Sequence, residues 1–188
     1  RFQKWYTGEL MGMWGANPLA EQPVLPASTL RQILVHLREM GCVLGVATGR
    51  PYREALHALE AFGVDSLFDR GRMGTFDDVV EAQETTGLTG LGKPHPFVIR
   101  RVLWPEESLT ALVSDQGLRA QADTVLLVGD STSDALAARA AGVPCLGVLS
   151  GMSGAAARKE HRQTLLKAGC VDVLEDIAAL PDWLRRQA

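Results

Sequence analysis

The sequence predicts a doubly wound α/β domain built on a parallel, Rossmann-like sheet. Three observations predict it. Residues 42–47 (CVLGVA), 124–128 (TVLLV) and 144–148 (PCLGV) are short runs, apolar almost throughout, as in strands covered on both faces. Stretches with helical spacing of apolar residues alternate with them. The first two strands end in polar turns, Thr48-Gly49-Arg50 and Gly129-Asp130-Ser131, at the edge where open α/β sheets bind ligands.

The elements follow in order. Over 27–40, Leu30, Ile33, Leu34, Leu37 and Met40 form one apolar stripe, with Ser28 or Thr29 as cap and Gly41 as stop. Strand 42–47 leads to helix 51–62, opened by Pro51 and ended by Gly63. Leu67-Phe68 reads as a brief strand. Residues 71–94 read as a loop holding one short helix near 77–83, and helix 95–103 follows Pro94. Residues 104–122 are polar and read as a surface insertion. Strand 124–128, an alanine-rich helix over 131–141 and strand 144–148 come next. Two helical stretches around 154–168, a short strand at 171–173 and a terminal helix complete the order. Residues 1–24 do not fit the alternation. Their aromatic and methionine residues at helical spacing, followed by Pro18, Pro23 and Pro26, read as the end of a separate helical element with a linker.

Composition narrows the function. Of 188 residues, 46% are apolar, enough for a real core, and the net charge is −3. That balance argues against nucleic acid or an anionic membrane as partner. No apolar run has the length of a membrane span, and residues 1–15 lack the apolar core of a secretory signal. Cys42, Cys145 and Cys170 form no Cys-x-x-Cys or Cys/His cluster. Reduced thiols in a cytoplasmic protein are expected.

Three polar motifs carry the chemistry. In LLVGDSTSD, Asp130 and Asp134 stand one helical turn apart at a strand end. Hard Mg²⁺ takes one or two carboxylates with waters and phosphate oxygens. A plain alternative is that Asp130 caps the helix and Asp134 favours its positive end. Thr48-Gly49-Arg50 offers a hydroxyl and a backbone N–H to an anion, or is simply a turn. In GKPHP, Lys93 is held between glycine and proline, where an ammonium neutralises carboxylates or phosphate. His95 reads chiefly as a residue of the helix start. Any one motif is weak, but together, on successive elements of one sheet, they suit phosphoryl transfer.

In this order the motifs resemble the haloacid dehalogenase-like superfamily, in its phosphatase branch and close in style to phosphoglycolate phosphatases. VATGR resembles the second family motif, GKPHP the third and VGDSTSD the fourth. The resemblance spans about residues 25–180. It implies that Thr48, Gly49, Arg50 and Lys93 bind the phosphoryl group, with Thr48 and Lys93 catalytic. It implies that Asp130 holds Mg²⁺ directly and Asp134 holds it through water. The function implied is Mg²⁺-dependent hydrolysis of a small phosphorylated metabolite through an aspartyl-phosphate. A phosphomutase or a non-catalytic relative is the alternative, and the oligomeric state stays open. The domains implied are a cap tail and linker over 1–24 and the α/β core over 25–188.

The family's first motif, Asp-x-Asp at the end of the first strand, is absent from the sequence. Asp77 and Asp78 are adjacent, and Asp172 and Asp176 lie four apart. The family's first strand is central, so its loss leaves two unpaired inner edges. The chain begins at Arg1 rather than Met, and a preceding segment is expected to supply that strand and the nucleophile. The chain alone is then inactive.

Three rivals fail on order or spacing. A receiver domain places its acids before Thr and Lys. Gly87 to Lys93 fits G-x-x-x-x-G-K, but Pro94 replaces the metal-binding hydroxyl. No G-x-S-x-G elbow surrounds Ser150 or Ser153.

Overall fold

A computed structural model of the chain describes residues 24–114 and 124–187. The described elements are α1 (Ala27–Glu39), β1 (Val46–Ala47), α2 (Tyr52–Ala61), β2 (Met73–Gly74), α3 (Phe76–Thr86), α4 (Phe97–Leu103), α5 (Leu109–Val113), β3 (Leu127–Gly129), α6 (Thr132–Ala141), β4 (Cys145–Val148), α7 (Ala155–Ala168), β5 (Asp172–Leu174) and α8 (Leu180–Arg185). β1 pairs with β2, and β3, β4 and β5 form a second group, parallel throughout.

β4 shows how the layers form. All four of its residues, CLGV, are buried. Alternate side chains of a strand face opposite sides. Cys145 joins one core with Ala135, Ala138 and Phe97, while Leu146 and Val148 join another with Ile33, Leu37 and Leu174. Helices therefore cover both faces, as the apolar strand sequences predict. Gly74 lets α4 lie close, since a Cβ there would run into the Val98 carbonyl. Cys145 and Cys170 are buried free thiols with Sγ atoms 3.7 Å apart.

The sheet is split between β1 and β3, and no described strand joins the two groups. A cavity of about 1040 Å³ lies there, lined by Val43, Gly45, Ala47, Leu126, Val128 and Ile99 among others. The lining is mostly apolar. β3 is only half-buried although its run is as apolar as β4, and Val43 is 62% exposed. Leu127 N–H donates to Pro144 on the β4 side, and Thr48 N–H donates to Gly74 on the β2 side. Alternate residues of a parallel strand point to opposite neighbours. Hence Leu126 and Val128 on one edge, and Gly45 and Ala47 on the other, turn their backbone groups toward the slot. The expected missing central strand matches this slot in position and in chemistry.

Several expectations need correction. Leu67-Phe68 is no strand: Asp65–Leu67 is a 3-10 turn, and the edge strand comes later, at Met73–Gly74. The short helix expected near 77–83 is present but longer, as α3 at Phe76–Thr86 with a Thr75/Asp78 capping box. The described part of the supposed surface insertion contains α5, whose Leu112 is 0% exposed. Burying one such leucine contributes about 1.5–3 kcal/mol, so this segment belongs to the core. Residues 154–168 form one helix rather than two. The expected cap tail at 1–24 lies almost wholly outside the described residues.

Candidate active site

Thr48, Lys93, Asp130 and Asp134 are separated in sequence but gather at the carboxyl ends of β1 and β3, on either side of the slot. Lys93 makes the connection. Its Nζ donates to the Ala47 carbonyl at 2.7 Å and to Asp134 Oδ1 at 2.6 Å. One side chain thus spans the mouth of the slot. An ammonium has three N–H donors, so one remains for a ligand.

Asp134 begins α6 in a capping box. Its Oδ2 accepts from the Ser131 N–H at 3.2 Å and the Ser131 hydroxyl at 2.7 Å, and Ser131 Oγ accepts from Asp134 N–H. The cap is Ser131, not Asp130. Burial by itself pushes the Asp134 carboxyl up. The Lys93 ammonium and the two Ser131 donors outweigh burial, and the pKa lies below its ordinary value. Asp134 is therefore an anion with both oxygens engaged. Gly129 makes room for it: a Cβ there would stand 2.6–2.9 Å from the Asp134 side chain. Gly129→Ala should cost about 1–3 kcal/mol, as other overpacked sites do. A lowered urea midpoint checks this, and an unchanged midpoint would show that Asp134 does not lie over the strand end.

Asp130 is exposed at the end of β3, and among the described residues no group bonds its carboxylate. Among the described residues no cluster of three His, Cys, Asp or Glu exists. One open carboxylate beside an engaged one suits a hard cation that keeps most of its waters. Asp130 could therefore take Mg²⁺ directly, with Asp134 one turn behind it.

On the β1 side, Thr48 Oγ1 accepts from Arg50 N–H at 3.1 Å, which holds the hydroxyl at the turn. Arg50 is exposed, and its carbonyl accepts from Phe76 N–H, tying the turn to α3. Among the described residues nothing accepts from Gly49 N–H, and a Cβ on Gly49 would meet nothing within 4 Å. The turn thus faces open space with a donor free for an anion. His95 does not join the group. Its Nδ1 accepts from Phe97 N–H at 3.2 Å, and burial, aided by Arg100, holds its pKa down. It serves the start of α4.

A model of the haloacid dehalogenase-like hydrolases matches residues 16–148. The chain belongs to that family. A phosphoglycolate phosphatase of Rhodospirillum rubrum is 30% identical over 172 residues, covering 91% of this chain and 57% of that protein. One from Haemophilus influenzae is 32% identical over 122 residues, covering 65% of this chain and 44% of its own length. The chain spans about half the length of these curated relatives. A structural genomics X-ray structure superposes with a TM-score of 0.81 at 26% identity, covering 99% of this chain and 52% of that one. A hydrolase from Pseudomonas syringae gives 0.55 at 26% identity, covering 87% and 63%.

Two residues here were not singled out from sequence. Ser131 was legible in principle, since Ser-x-x-Asp at a helix start is a capping signal. His161, whose Nε2 lies 2.7 Å from the Asp130 carbonyl, gave no local signal.

Proposed function

We propose that the complete protein is a Mg²⁺-dependent phosphomonoesterase acting on a small phosphorylated metabolite. The observation that carries this is Lys93, held between Ala47 and Asp134 across the mouth of the slot. A cation fixed there stands where an aspartate at the end of a slot-filling strand would meet a phosphoryl group. That aspartate attacks phosphorus while the P–O bond to the substrate alcohol breaks and the alcohol leaves, and water then hydrolyses the aspartyl-phosphate to inorganic phosphate and the free carboxylate. Thr48 Oγ1 and Gly49 N–H hold phosphoryl oxygens, Arg50 flanks them, and Lys93 offsets the charge of nucleophile and phosphate. Asp130, with Asp134 behind it, would hold Mg²⁺, which supplies charge stabilisation when bound. A reducing compartment such as the cytoplasm suits the free Cys145 and Cys170.

The names of the curated relatives make 2-phosphoglycolate the first substrate to test. A phosphoester panel should be screened with the slot-filling strand in place, with and without Mg²⁺. We expect Mg²⁺-dependent release of phosphate from at least one small ester, and its loss by 100-fold or more in Asp130→Ala. Near-normal turnover in that variant sinks the metal assignment. No turnover on any ester would favour the non-catalytic alternative.

A further inference from the structure

We propose that His161 is a positioning residue for the Asp130 carboxylate, acting on the peptide that follows it. This rests on the reading of Asp130 as the direct metal ligand. The peptide between Asp130 and Ser131 is gripped from both sides. His161 Nε2 lies 2.7 Å from its carbonyl oxygen, and its N–H donates to Asp134 Oδ2 at 3.2 Å. A carbonyl only accepts, so the His161 Nε2 carries the proton.

The consequence is geometric. A peptide unit is planar, so fixing both its C=O and its N–H fixes the whole plane. That plane sets ψ of Asp130. With β3 fixing the backbone before it, Asp130 has little freedom left. Its side chain then leaves the backbone in one direction. An exposed carboxylate that has no described partner gains its order in this way from the main chain. Asp134 supplies one grip from the first turn of α6, only a few residues on. His161 supplies the other from α7, 31 residues later, and couples the packing of α7 against α6 to the site. Groups that orient metal ligands typically change metal affinity 10–100-fold when removed.

Two variants of similar size separate the hydrogen bond from simple packing. His161→Leu keeps bulk and removes the donor. His161→Gln keeps an N–H donor of similar reach on a helix-compatible side chain. Both are made in the protein with its slot-filling strand in place, and Mn²⁺ binding is followed by electron paramagnetic resonance. Half-saturation by Mg²⁺ is read separately from kcat.

We expect His161→Leu to weaken Mn²⁺ binding and raise Mg²⁺ half-saturation tenfold or more. Its kcat at saturating Mg²⁺ should fall much less. Exchange of the Ser131 amide should speed up in the same variant. His161→Gln should stay within about threefold of the parent in each measurement. If Leu and Gln variants behave alike, the inference is overturned. Asp130→Ala is the control for the underlying reading. If it abolishes binding while His161→Leu leaves binding intact, the metal site stands and the role of His161 falls. If Asp130→Ala also binds normally, the metal reading itself falls.

Discussion

Supplying a strand that ends in an aspartate between β1 and β3 should switch on phosphate release. The described residues present a hydroxyl, an ammonium and two carboxylates at the slot, but among them no further aspartate stands at its mouth to attack phosphorus. We therefore expect turnover at the buffer level from the chain as it stands. With the strand supplied, covalently or as a peptide, turnover should rise by several orders of magnitude, because nucleophilic attack is then possible. Stability should rise with it. An added strand bonds its backbone to both edges, as in other cases of strand addition, and fills an apolar cavity of about 1040 Å³. Each large side chain so buried contributes about 1.5–3 kcal/mol. Hydrogen exchange gives the sharpest check. Amides of Leu126, Val128, Gly45 and Ala47 should exchange quickly without the strand and slowly with it. Strong protection of these four without any added strand would show that the slot is already filled.

The sequence made much of this legible, for definite physical reasons. Strands buried on both faces need apolar residues throughout, and the 42–47, 124–128 and 144–148 runs are apolar almost throughout. Helix ends need caps and left-handed glycines, and Gly142 ends α6 in that conformation. Thr48 and Asp130 stood out because each follows an apolar run, at the edge where such sheets bind ligands, and Lys93 because it is set between Gly92 and Pro94. Other features were not readable because their causes are distant. β2 has two residues, Met73 and Gly74, and exists only because β1 offers it an edge. α5 has a mostly polar approach, and its place in the core rests on Leu112 with Leu109 and Val113 packed beside it. The grip of His161 on Asp130 joins residues with no sequence pattern in common. Asp134 shows both readings at once: it belongs to a capping box, and through Lys93 it also belongs to the site.

Lys93→Met should be the most damaging single change among the residues of the site. Methionine keeps the length and loses the charge. Asp134 is then a carboxylate with only 10% of its side chain exposed and no partner on Oδ1. Removing one member of a buried ion pair typically costs about 3–5 kcal/mol, a large part of the 5–15 kcal/mol that holds a domain together. Protonation sets the direction with pH. In the parent, the folded-state pKa of Asp134 lies below its ordinary 3.8. Its contribution is therefore fully present above that value and is lost as pH falls through the lower, folded one. In Lys93→Met, burial remains while the ammonium is gone, so the folded pKa rises relative to the parent. The variant then suffers most at neutral pH, where Asp134 must stay charged, and recovers in acid, where a neutral carboxyl needs no cation. Urea unfolding of both proteins from pH 3 to 8, with metal chelated, should show the gap widest near pH 7 and closing below pH 4. A gap that stays constant across this range would mean that Lys93 stabilises the fold through packing and its bond to Ala47, and not through the charge of Asp134. In the protein with its strand restored, the same change should lower kcat by about 100- to 1000-fold, the usual loss for one fixed donor at a developing charge.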